Sequence, residues 1–136
     1  MGAWGPGPFD NDDASDWAFE FEGLDESAGL NVVTAALEGF NPGEYLESPE
    51  GANAVAAAAV VAWMRDPSKI SDTPYGDSAA MWVRAGAQPT DELIAAALAA
   101  LDHVRSDESE LAELWAESGD AAWRESLIDI ETRLRA

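Results

Sequence analysis

The stretch SPEGANAVAAAAVVAWMR, residues 48–65, decides the fold. Ser48-Pro49-Glu50 opens a helix with proline at its favoured first position, where the backbone N–H has no intrahelical partner. From Ala54 to Met64 the run is apolar on all sides. A helix with no polar face belongs in the middle of a protein, enclosed by others. Five alanines between Ala54 and Ala59 let neighbouring backbones approach closely. The run of eleven apolar residues is too short to span a bilayer. Asp66-Pro67 ends it.

On the N-terminal side, Gly2, Gly5, Pro6, Gly7 and Pro8 keep residues 1–9 out of any regular helix. Asp10 to Asp13 supply N-cap candidates for a helix over 12–22, with Trp17 and Phe21 on one face beside Ala14 and Ala18, and Gly23 as its stop. A second helix is expected over 26–38, capped by Asp25 and followed by Gly39. Leu30, Val33, Leu37 and Phe40 show the three-and-four spacing of its buried face. Asn41-Pro42-Gly43 is a turn, and Tyr45 with Leu46 forms a short docking segment.

On the C-terminal side, residues 67–74 form a loop carrying the only lysine, Lys69. A short helix is expected over 77–85 with Met81, Trp82 and Val83, closed by Gly86. Thr90 caps a helix over 91–105 whose stripe is Ile94, Ala97, Leu98, Leu101 and Val104. Asp107 with Glu110 reads as a capping box for a helix over 108–118 presenting Leu111, Leu114 and Trp115. Gly119 breaks it. Asp120 then caps a last helix over 121–135, with Trp123, Leu127, Ile130 and Leu134 inward and the pairs Asp129–Arg133 and Glu131–Arg135 outward. The expected fold is all-α: one domain over 1–136, an irregular or orthogonal bundle of six or seven short helices with an irregular N-terminal segment. Short, uneven helices argue against a simple up-down four-helix bundle.

The chain has 136 residues, with 27 Asp and Glu against 7 Lys and Arg, for a net charge of −20. Apolar residues make up 47%, but 27 residues are alanine, so the core is small, alanine-lined and anchored by large rings, among them six tryptophans. No cysteine means no disulfide, thiolate metal site or cysteine nucleophile. A single histidine excludes a two-histidine zinc site. The phosphate backbone of nucleic acid and an anionic membrane surface would both be repelled. The N-terminus lacks the basic and apolar regions of a signal peptide, and Pro6 stands where a myristoylation motif needs Ser or Thr. A cytoplasmic location is the expectation.

No catalytic constellation emerges. Asp10-Asn11-Asp12-Asp13-Ala14-Ser15-Asp16 has the look of a calcium loop. An EF-hand starting at Asp10 would need glycine at Ser15 and glutamate at Phe21, and starting at Asp12 it fits worse. Capping and a solvated first turn explain these acids better, and Asp10, Asp12, Asp13 and Asp16 stand as the metal candidates if a divalent ion binds. His103, near a helix end beside Asp102 and Asp107, has no nucleophile or metal partner nominated by the sequence. Carboxylate pairs at glycosidase spacing arise by chance among so many acids. The glycine-rich opening lacks the preceding strand of a phosphate loop, and its prolines remove donors. No cofactor is expected. Trp17, Trp63, Trp82, Trp115 and Trp123 fit core positions. Trp4 either plugs the bundle's open end or presents a recognition surface with Phe9. Plugging is favoured, since an exposed Trp–Phe pair is a liability.

The opening MGAWGPGPFDNDDASDW resembles the signature of a small bacterial family catalogued as domain of unknown function 4259. The matching positions are Met1 to Gly5, Phe9, Asn11, Asp12, Asp16 and Trp17. The alanine-rich helix from Ala54 to Trp63 and the closing Trp123 helix also look like the family, so the resemblance spans essentially the whole chain. It implies a small bacterial domain, and it supplies no reaction, ligand or catalytic residue.

The expected function is a non-catalytic protein-interaction module, for instance an immunity or inhibitor protein for a basic partner, with Trp4, Phe9, Asn11, Asp12, Asp13 and Asp16 as interaction candidates. Opposite charge would speed such an association and make it salt-dependent. The alternatives are a metal-dependent enzyme or metal-binding protein built on Asp10 to Asp16, and an acidic mimic of nucleic acid. A charge that serves only solubility is the plainest reading. The charge is uneven: residues 1–64 hold 12 acids and no Lys or Arg, whereas 65–136 hold 15 acids and all 7 bases.

Overall fold

The computed structural model describes residues 5, 7–21, 24–38, 44–66 and 88–136. Among them it is all-α, with six α-helices and one 3-10 turn. These are α1 (Asp12–Ala18), the 3-10 turn Phe19–Phe21, α2 (Glu26–Glu38), α3 (Ser48–Arg65), α4 (Asp91–Val104), α5 (Glu110–Ser118) and α6 (Ala121–Arg135). The helix expected over 77–85, with Trp82, lies outside the described residues, as do the Lys69 loop, the 41–43 turn, Gly23, Gly39, Phe40 and Trp4. No described helix is long and apolar enough to cross a membrane.

The 18-residue α3 is the axis of the fold, and each of the other five α-helices packs against it. Every residue from Ala54 to Met64 is buried, as the all-round apolar run requires. The alanine methyls occupy the close approaches, while Val55, Val60, Val61, Trp63 and Met64 fill the wider gaps. The surrounding helices contribute the stripes read from the sequence: Val33 and Leu37 from α2, Ala97, Leu101 and Val104 from α4, and Trp123, Leu127, Ile130 and Leu134 from α6. Ile94, Leu98, Leu111 and Trp115 are partly buried at its edge. Trp115 stacks on Trp123 with centroids 6.2 Å apart, closing α5 on α6.

Helix starts follow local chemistry, with two corrections. Asn11 caps α1, Asp25 caps α2 and Thr90 caps α4, each accepting a backbone N–H three residues on, at 2.8, 2.8 and 3.1 Å. The cap of α5 is Ser109, not Asp107: its hydroxyl accepts the Ala112 N–H at 3.2 Å, and it is fully buried. Asp120 precedes α6 but makes no capping bond, since its carboxylate holds Arg124 at 2.7 Å instead. The first helix is also shorter than expected, tightening into the 3-10 turn after Ala18.

Ser109 is buried because the Tyr45–Leu46 segment docks beside it. Leu46 N–H donates to the Glu108 carbonyl at 2.7 Å, and Glu110 N–H donates to the Leu46 carbonyl at 2.9 Å. Glu110, freed from the expected capping box, accepts the Ser48 N–H at 2.7 Å and so caps α3 from another helix. Tyr45 O–H donates to Glu113 at 2.8 Å, a bond that pushes its phenol up to about 12. Arg105 at the end of α4 bridges Asp102 and Glu131, tying α4 to α6. The expected pairs Asp129–Arg133 and Glu131–Arg135 are present at 2.9 and 3.7 Å.

Candidate functional site

The acidic opening divides into separate local tasks. Asp10 accepts the Gly7 N–H at 3.0 Å, and its own N–H donates to the Gly7 carbonyl. A Cβ on Gly5 or Gly7 would lie 2.7 or 2.6 Å from the Asp10 carboxylate, so these two glycines are needed for close approach. Phe9 is 2% exposed and stacks on Trp63 at 5.4 Å, so it anchors the segment to the core and offers no recognition surface. Asn11 is occupied as the α1 cap. Asp12, Asp13 and Asp16 lie on the exposed side of α1. Among the described residues, no group of three or more His, Asp or Glu side chains is placed to hold a metal ion. His103 donates from Nε2 to the Glu44 carbonyl at 2.7 Å, holding α4 to the docked segment.

A cleft of about 430 Å3 lies between α1, the 3-10 turn, α2 and α3. That size falls within the roughly 300–1,000 Å3 of ordinary ligand sites. Its apolar wall is Trp17 from α1 with Val32, Ala35 and Ala36 from α2. The polar groups come from three elements: Glu20 on the 3-10 turn, Asn31 on α2, and Glu50 and Asn53 on α3. The local negative field is strong. Partial burial, together with the charges of Asp12, Asp16 and Glu50, pushes the Asp13 carboxyl above its ordinary pKa. Asn53 adds a rarer feature: its Oδ1 is buried and, among the described residues, is the one buried side-chain polar atom without a hydrogen-bond partner.

The acids that stand out in the sequence are Asp10 to Asp16, whereas Glu20, Glu50 and Asn53 carry no motif. One signal was available, because Asn53 is the single polar residue between Gly51 and Met64. The convergence of Glu20, Glu50 and Asn53 was not visible, since it depends on how α2 crosses α1 and α3.

The ion pairs between described residues join positions 102–135, outside the segments that line this cleft. Comparison with known proteins gives one positive result. A family model described as Domain of unknown function (DUF4259) matches residues 2–126. No curated protein and no solved structure matches the chain.

Proposed function

The chain belongs to the family described as Domain of unknown function (DUF4259), and from that premise we propose that it is a non-catalytic interaction module for a basic protein partner, acting in the cytoplasm. The observation that carries this reading is the segregation of charge. The first 64 residues hold 12 acids with no Lys or Arg, and they supply α1, α2 and the central α3. Acids without basic neighbours in their own segment attract an oppositely charged surface and raise its encounter rate. Among the described residues, Arg105, Arg124, Arg133 and Arg135 of the other half each pair with an acid of that half.

Affinity capture on the tagged protein from its native host at low salt tests the proposal. A stoichiometric protein with a strongly basic face, released as salt is raised, is the expected result. Recovery of no stoichiometric partner, or of one whose binding ignores salt, would count against it.

A further inference from the structure

We propose that the cleft between α1, α2 and α3 receives a lysine side chain of the basic partner, an inference that rests on the interaction reading above. The cleft offers the two environments that a lysine needs. Val32, Ala35 and Ala36 form an apolar wall along which a four-carbon stem can lie, as long basic side chains do wherever they cross apolar surface. Glu20 and Glu50 supply carboxylates for the charged head. Residues 1–64 contain no Lys or Arg that could fill the same place from within the segment.

Asn53 argues independently for a donor. Its Oδ1 is buried without a partner, and a buried acceptor left unsatisfied is costly. An ammonium has three donors on a rotatable head, which suits acceptors that come from different elements, Glu20 on the 3-10 turn and Glu50 on α3. The planar fork of arginine is suited to a single coplanar carboxylate, so lysine is the better fit.

The test is an NMR titration of the isotopically labelled protein at low salt with the tripeptide acetyl-Gly-Lys-Gly-amide. Its norleucine counterpart, which keeps the stem and lacks the charge, is run beside it, along with the arginine counterpart, butylammonium and calcium. Saturable shifts at the amides of Glu20, Val32 and Asn53 are expected, with the lysine peptide at least fivefold tighter than the norleucine one and tighter than the other probes. The double variant Glu20→Gln/Glu50→Gln should weaken it at least fivefold. Ala35→Phe, a change at an exposed position of α2, should abolish the saturable shifts, with circular dichroism confirming the helices; Glu117→Gln on α5 should change nothing.

Shifts spread evenly over all exposed acids, or unaltered by the double variant, would overturn the assignment. Butylammonium binding as tightly as the peptide would assign the cleft to a small amine, and preferential calcium binding would assign it to a metal; either overturns the lysine. The two failures are distinguishable. A basic partner captured equally by the wild type and by Glu20→Gln/Glu50→Gln sinks the cleft and keeps the module. Lysine-peptide binding in the cleft with no partner captured sinks the module and the partner's lysine with it, and leaves only a lysine-binding cleft.

Discussion

Asp13 lies in the first turn of α1, where the helix dipole favours a negative charge, yet its carboxyl is held above the ordinary pKa. Partial burial and the neighbouring acids Asp12, Asp16 and Glu50 hold it there. A raised pKa in the folded state means that folding takes up a proton as pH falls, so this side chain costs stability while ionised. The cost disappears as pH drops through the raised folded value to the ordinary one near about 3.9. Asp13→Asn should then raise Tm at pH 7 in low salt, with the gain vanishing below about pH 4; a lowered Tm at pH 7 would show the dipole winning. Glu131 has the opposite sign, because its bond to Arg105 holds its carboxyl below the usual range. Its contribution is complete above about pH 4.3 and is lost as pH falls through the lower folded value. Glu131→Gln should therefore destabilise at pH 7 and converge with wild type in acid, which denaturant melts across pH would show. Partial burial disfavours the charged form of Arg105, but its bonds to Glu131 and Asp102 outweigh that and hold its pKa above the ordinary value.

Within α3, two positions separate backbone preference from packing. Gly51 sits in the helix with nothing nearer to a built Cβ than 3.6 Å, an ordinary contact with the side chain of Leu111. Gly51→Ala should therefore stabilise by about 0.5–1 kcal/mol through lower chain entropy. A loss instead would mean that the packing of Leu46 and Leu111 cannot yield. Ala58 is fully buried on the same helix. Ala58→Leu should cost about 1–3 kcal/mol, because a close helix approach has no room for three more carbons; urea melts of both variants check the pair. The element boundaries show what local reading captures. Thr90 and Asn11 cap as their side chains and spacing suggest, because capping involves only residues three apart. Asp107 fails as the α5 cap for a non-local reason: Leu46 pairs with Glu108 and Glu110, buries Ser109 and recruits it instead.

The whole molecule carries −20 with its positive charge confined to residues 65–136. Raising NaCl from about 0.01 to 0.5 M shrinks the Debye length from about 30 Å to below 10 Å. Tm should rise by several degrees as self-repulsion is screened, and an unchanged Tm would mean that the acids are compensated within the fold. By itself the sequence determined the all-α class, the central place of residues 54–64 and the inward stripes of α4 and α6. These depend on periodicity, capping spacing and the absence of any polar face, all properties of consecutive residues. The tertiary structure alone decided that Glu110 caps α3, that Phe9 stacks on Trp63 and that Arg105 joins α4 to α6. It also decided that Glu20, Glu50 and Asn53 border one cleft. Those meetings join residues from different helices, and the crossing of packed helices is set by how their side chains interlock, which no spacing along one helix encodes.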